Sequence, residues 1–258
     1  MGTIEKYLKR EHGNLLSLTT DDINPYLNDQ LFDQGLFVNI TTNNIPLRRQ
    51  EAIIENTKNK NVIHVGCVDH LEIIEDKIEH NTWLHSKIIE SSSECIGIDI
   101  NKKGIDYLKN KLKIDNVYYC DLIKNRLNKL MEKNWDIMVL GEIVEHVTNP
   151  QEFLSKIFSL YKYNVNKIII TVPNVYCYNN YRNAKRGIEV INSDHKTVFS
   201  PYTLVKTLNQ CGFKTDQIFF ADPTYKIWHR IMNKVFKTKF FRNKKTLSNT
   251  IVALASFK

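Results

Sequence analysis

The run Gly141-Glu142-Ile143-Val144-Glu145-His146 follows the apolar stretch Trp135–Leu140 and sets two carboxylates and an imidazole at positions i, i+3 and i+4. If a helix begins at Glu142, these three side chains share one face and lie within reach of each other. Mixed oxygen and nitrogen donors of this kind can hold a divalent cation. Their place also matters, because open α/β sheets bind ligands beyond the carboxyl ends of their strands.

Three further positions carry the same message. Val62–Val65 runs into Gly66 and Cys67, a strand-to-glycine turn that lets backbone approach a ligand at a helix N-terminus. Asp99 ends the apolar run Cys95–Ile98 and is placed to accept the hydroxyls of a ribose, with Ile100 beside it. Cys120-Asp121-Leu122 ends a third run, where a carboxylate can accept an adenine amino group. Each acid alone also reads as a solvated loop residue or a helix cap. Acids ending consecutive strands beside a glycine turn read together as a cofactor groove.

The elements that must position these residues are legible as period changes. Apolar runs at Val62–Val65, Cys95–Ile100, Asn116–Cys120, Asp136–Leu140 and Lys167–Val172 predict five buried strands. Amphipathic stretches at Trp83–Glu90, Lys103–Leu112, Ile123–Glu132 and Gln151–Tyr161 predict helices between them. That alternation argues for a parallel sheet covered on both faces. Ser200-Pro201 starts a further helix with a serine cap and proline at its first position, ending near Cys211-Gly212. Lys214–Ala221 and Thr250–Phe257 then read as an antiparallel pair at one sheet edge. Residues 1–60 read as an N-terminal cap or arm, with weak helical periodicity at Ile4–Leu8 and Pro46–Thr57. Residues 61–258 read as the main domain, with a basic aromatic insertion at 223–247.

Composition bounds the rest. The 258 residues are 42% hydrophobic, enough for one substantial core, and the net charge of +8 allows an anionic partner without requiring one. The five cysteines (Cys67, Cys95, Cys120, Cys177, Cys211) form no C-x-x-C pair, which fits a reduced, cytoplasmic protein. No apolar window is long enough to span a bilayer. His64, on a buried strand, reads as a hydrogen-bonded core residue rather than a ligand.

Taken in order, His64-Val65-Gly66-Cys67, Gly97-Ile98-Asp99, Cys120-Asp121, Gly141–Val147 and Thr171-Val172-Pro173-Asn174 resemble a class I S-adenosylmethionine-dependent methyltransferase over about residues 61–220. The resemblance implies a Rossmann-like, mostly parallel sheet of seven strands with helices on both faces and a terminal antiparallel hairpin. It implies that Gly66 and Cys67 approach the methionine part of the cofactor, that Asp99 and Ile100 hold the ribose side, that Asp121 and Leu122 bracket the adenine, and that Gly141 and Glu142 line the same groove. The family's further turn glycines are replaced here by Val68 and His70, so the loop follows a different path.

Glu142-x-x-Glu145-His146 with a distant His195 is similar to a divalent-metal-dependent O-methyltransferase subgroup that includes small-RNA 2′-O-methyltransferases. That likeness implies Glu142, Glu145, His146 and His195 as ligands of Mg²⁺ or Mn²⁺, with Glu145, His146 and His195 as the catalytic residues. The spacing of Gly66-Cys67-Val68-Asp69-His70 resembles methyltransferases of bacterial surface glycans. The expected acceptor is a hydroxyl of a small molecule or of a surface-polysaccharide sugar or phosphate-type precursor. RNA 2′-O-methylation and a catalytically silent cofactor-binding partner are the alternatives.

Overall fold

The computed structural model describes residues 16–18, 20–40, 47–222 and 245–258. The expected periodicity at Ile4–Leu8 and nearly all of the basic aromatic insertion lie outside those residues. A small parallel pair, β1 (Leu16–Ser17) and β2 (Val38–Asn39), stands apart from the main sheet. The main sheet holds β3 (Leu47–Arg48), β4 (Asn61–Val65), β5 (Glu94–Asp99), β6 (Val117–Tyr119), β7 (Trp135–Gly141), β8 (Val165–Pro173), β9 (Phe213–Asp222) and β10 (Thr250–Phe257). Their spatial order is β3-β9-β10-β8-β7-β4-β5-β6.

Every strand of this sheet runs the same way except β10, which is antiparallel to both β8 and β9. The seven expected strands and the antiparallel hairpin are present, and the two-residue β3 adds an eighth at the β9 edge. Residues before 60 therefore join the sheet directly.

Strand alternation sorts the core onto two faces. Ile63, Met138, Leu140, Ile168 and Ile170 point to one face, covered by the helices Pro150–Tyr161 and Pro201–Gln210. Val62, Ile137, Val139 and Ile169 point to the other, where Ala52 and Ile53 of the helix Arg49–Thr57 and Ile88 of the helix Leu84–Ser91 pack. Side-chain caps fix where these helices start. Asn149 accepts from the Glu152 N–H, and Ser200 forms a capping box with Thr203 ahead of Pro201. Each such cap contributes about 1 kcal/mol. The stretch Ile123–Glu132 is helical only over Asn128–Met131, because turns at Leu122–Lys124 use up the residues that the periodicity assigned to a helix. The segment after Gly66 is not a bare loop; it carries the short helix Ile74–Glu79.

Beneath the glycine turn lies a buried histidine pair. His64 Nδ1 and His85 Nδ1 are 3.1 Å apart, so one ring donates and the other accepts. The rings stack at 5.2 Å, and Trp83 meets His85 edge-on while donating its indole N–H to the Cys67 carbonyl. The fit is tight: a Cβ at Gly97 would lie 2.7 Å from the His85 ring and 2.8 Å from Cys67 Sγ. Burial holds His85 down to about 3, and burial followed by the His85 charge and the Arg49 charge holds His64 well below its usual value.

The sign of the consequence follows from linkage. Both groups bind a proton more readily in the unfolded chain, so the stability they allow is complete above pH 6.5 and is lost as pH falls towards their folded values. Denaturant titrations are expected to lose about 1.4 kcal/mol per pH unit for each histidine on that descent. The double substitution H64L/H85L should flatten the profile. An unchanged acid profile in that variant would place the loss elsewhere.

Candidate active site

Five strands of one direction bring the residues after Val65, Asp99, Tyr119, Gly141 and Pro173 to a common edge of the sheet. At the end of β7, Glu142 has a φ of 58°, a left-handed conformation uncommon for a residue with a side chain. Thr171 on β8 holds it there. The Glu142 N–H donates to the Thr171 carbonyl (3.0 Å) and to its hydroxyl oxygen (3.1 Å), and that hydroxyl donates to Glu142 Oε1 (3.2 Å). Strain of this kind concentrates at functional sites.

The chain then makes one 3₁₀ turn, Val144–His146, instead of entering an α-helix at Glu142. The expected shared helical face is therefore absent. What positions Glu145 is a tertiary contact: its carbonyl accepts the N–H groups of Lys196 (2.8 Å) and Thr197 (3.2 Å). That pair of hydrogen bonds pins the 192–197 segment over the turn and sets His195 against His146, ring centroids 4.7 Å apart at 81°. Asp194 Oδ2 lies 3.2 Å from His146 Nδ1.

Ligand atoms of Glu145, His146 and His195 lie within 4.8 Å of one another. Glu142 is not in this cluster, because its carboxylate is turned to Thr171, although its charge still acts on Glu145 and His195. The four-ligand set expected from the sequence is thus three convergent side chains with a fourth beside them.

Glu145 is fully buried, and among the described residues neither of its carboxylate oxygens has a hydrogen-bond partner. Burial, reinforced by the Glu142 charge, pushes it up to about 8. An unpaired buried carboxylate is costly unless protonated or matched by a cation. The donor set suits Mg²⁺ or Mn²⁺, so the residues present fit such an ion. His195 is lowered first by burial and then by the neighbouring His146, against the pull of Glu142 and Asp194.

Arg49 carries no local signal of a role here. This residue starts the helix Arg49–Thr57, and its Nη1 lies 3.4 Å from where a Cβ at Gly141 would be. Its positive charge acts on both Glu145 and His64. The Arg49 guanidinium thus packs beside Gly141 at ordinary contact distance, a neighbourhood that strand periodicity cannot announce. Thr171 stands among the residues that carry the family resemblance, but its hold on Glu142 leaves no mark in the strand pattern.

On the cofactor side, Gly66 has a φ of 76°, and a Cβ there would lie 2.8 Å from the Ile143 side chain, so only glycine fits the turn. Cys67 is placed differently from expectation. Its side chain is buried, its N–H donates to the Ile98 carbonyl and its own carbonyl accepts from Trp83, so it packs the turn. With Val68 and His70 standing where the family has glycines, the left-handed position of this loop falls on Asp69 between them, whose φ is 59°. Asp and Asn tolerate the left-handed region better than other side chains.

Asp99 accepts the Val68 N–H on Oδ2 (2.9 Å) and the Asn101 N–H on Oδ1 (2.8 Å), leaving further lone pairs on each oxygen for hydroxyl donors. Ile100 stands 72% exposed beside it, an apolar surface in search of a partner. Asp121 pairs with Lys124 at 3.1 Å and caps the Ile123 N–H, while Leu122 is buried in the core and presents only its backbone. Asn174 is buried, and its amide donates to the carbonyls of Thr246 and Ser248.

Comparison with known proteins agrees with this architecture. A family model described as a methyltransferase domain matches residues 44–218. Among solved structures, the small RNA methyltransferase HEN1 superposes with a TM-score of 0.52 at 15% identity over 86% of this chain, which spans 27% of that one. Magnesium protoporphyrin IX methyltransferase from Synechocystis PCC 6803, with bound S-adenosylhomocysteine, gives 0.50 at 12% identity, covering 81% of this chain and 82% of that one. The methyltransferase domain of bacterial CtHen1 gives 0.50 at 16% identity, covering 81% and 98%. At these identities the structures establish the fold alone. No curated protein matches the chain. Among the described residues, no helix is long and apolar enough to cross a membrane. With the family model matching residues 44–218 and the mostly parallel sheet closed by its antiparallel hairpin, the chain belongs to the methyltransferase-domain family and has the class I S-adenosylmethionine-dependent methyltransferase fold.

Proposed function

We propose that the chain transfers a methyl group from S-adenosylmethionine to a hydroxyl oxygen, with a divalent cation held by Glu145, His146 and His195. The observation that carries this reading is the fully buried Glu145 carboxylate, unpartnered on both oxygens and converging with two imidazoles. Bound there, Mg²⁺ or Mn²⁺ would supply Lewis-acid polarisation of the acceptor oxygen. The protein's own part is placement and proton control. Thr171 fixes Glu142, and the N–H groups of Lys196 and Thr197 fix the Glu145 backbone. Burial favours neutral His195, so its ring presents a lone pair either as a ligand or as the base that takes the acceptor's proton.

The acceptor we favour is a small-molecule or surface-polysaccharide precursor, often anionic, consistent with the +8 net charge and the likeness of the Gly66–His70 turn to glycan methyltransferases. RNA 2′-O-methylation is the second reading, favoured by the Glu145-His146-His195 cluster that the small-RNA enzymes share by resemblance. It predicts steeply salt-dependent binding of mixed RNA.

The test is a screen of nucleotide sugars and capsule-type precursors with protein dialysed against a chelator. Turnover is expected to fall to background and to return with Mg²⁺ or Mn²⁺, while S-adenosylhomocysteine affinity stays unchanged. Turnover that survives chelation would remove the cation and leave methyl transfer itself standing.

A further inference from the structure

Between β8 and the helix Pro201–Gln210 the chain makes an excursion whose two ends are firmly held. Asn174 bridges Phe199, Val175 donates to the Phe199 carbonyl, and Lys196 and Thr197 are bonded to Glu145. What lies between is spread over the surface. The helix Tyr178–Ala184 buries none of its residues, and Gly187, with a φ of 67°, turns the chain back after it. Tyr176 (50%), Tyr181 (57%), Ile188 (52%), Val190 (68%) and Ile191 (48%) are all exposed. Exposed with them are three cations within five residues, Arg182, Lys185 and Arg186, against the acids Glu189 and, nearer the held end, Asp194 beside His146. Three large aliphatic side chains exposed within four residues, next to a catalytic edge, mark an interaction surface rather than ordinary surface scatter.

We infer that this excursion docks on an anionic lipid surface. Charge and apolarity together select that occupant. Arg182, Lys185 and Arg186 match anionic headgroups, tyrosines suit the headgroup level, and Ile188, Val190 and Ile191 gain from entering the acyl boundary. A nucleic acid would use the cations and the tyrosine rings but would leave the aliphatic side chains in water. Since the excursion's root carries His195, docking would bring the catalytic edge to the membrane surface. The inference concerns where the protein sits and stands apart from the acceptor reading.

All five native cysteines are buried, so a cysteine introduced by Val190→Cys can be labelled selectively with an environment-sensitive dye. The full chain is mixed with phosphatidylcholine vesicles, with and without phosphatidylglycerol. Partition onto the anionic vesicles and a blue shift of the dye are expected. The triple variant I188S/V190S/I191S should bind them at least roughly tenfold more weakly. S-adenosylhomocysteine binding should be unaltered in that variant, which separates loss of docking from loss of fold. Absence of partition, an unmoved dye spectrum, or a triple variant that binds as well as the parent overturns the proposal. So does preferential binding of mixed single-stranded RNA that weakens in R182S/K185S/R186S but not in I188S/V190S/I191S.

Discussion

Glu145→Gln is expected to lower methyl-transfer turnover by about a thousandfold, the several kcal/mol that a Lewis-acid contact contributes to the transition state. The substitution keeps the shape of the side chain and removes its charge. Among the described residues, both carboxylate oxygens of Glu145 lack a hydrogen-bond partner, and Glu145 is the one fully buried carboxylate of the three convergent donors, whereas His146 Nδ1 lies 3.2 Å from Asp194 Oδ2. Loss of its charge should therefore weaken Mn²⁺ binding, read by calorimetry on the unreacted protein. Folding should not suffer, because a buried carboxylate pushed up to about 8 by burial and by Glu142 costs stability when it is ionised without a partner. The expected pattern is collapsed turnover, weaker Mn²⁺ binding, intact S-adenosylhomocysteine binding and a melting temperature no lower than that of the parent. Full turnover together with undiminished Mn²⁺ affinity would dissolve the proposed cation site. His195→Ala should reproduce the turnover loss, since the Lys196 and Thr197 bonds that hold its segment are made by backbone.

The parts of this site that could be read in the chain are those set by local pattern. Val62–Val65 and Asp136–Leu140 are strands because β-branched and aliphatic residues dominate each run up to a glycine, and the structure extends the first by one residue, Asn61, and the second by one at each end, Trp135 and Gly141. The Ser200-Pro201 start was legible because a capping box is a contact between residues three apart. His64 as a core residue was legible from its strand. Its partner was not, since the 21 residues separating it from His85 are spanned only once β4 and the helix Leu84–Ser91 pack.

The same limit explains the failure at Glu142. Spacing alone allowed a helical face, but the choice between an α-helix and a single 3₁₀ turn was made by Thr171 and by Lys196 and Thr197, on two other segments. The carboxylate expected in the cluster is consequently held by a threonine 29 residues away. Arg49 is the extreme case. It is a helix-start arginine like any other until the fold brings it to Gly141. Turns whose geometry is decided by distant donors leave no local trace.

Asp99→Ala should weaken S-adenosylhomocysteine binding by about a hundredfold, although this one carboxylate does two jobs. Asp99 already accepts the backbone N–H groups of Val68 and Asn101, one on each oxygen. Those bonds tie the loop after Gly66 to the end of β5, and the remaining lone pairs face whatever fills the groove. A hydrogen bond to a charged acceptor contributes about 1.5–3 kcal/mol, so the loss of two ribose contacts would cost a hundredfold or more even after partial replacement by water. Asp99→Asn distinguishes the jobs. Asparagine keeps one acceptor oxygen and substitutes a donor for the other, so it can hold the loop or a hydroxyl but not both pairs. An intermediate affinity with an unchanged melting temperature is the expected result, measured by calorimetry alongside thermal unfolding. Were Asp99→Ala to bind as tightly as the parent, the end of β5 would not line the cofactor groove, and Ile100 would be left exposed with nothing to cover it.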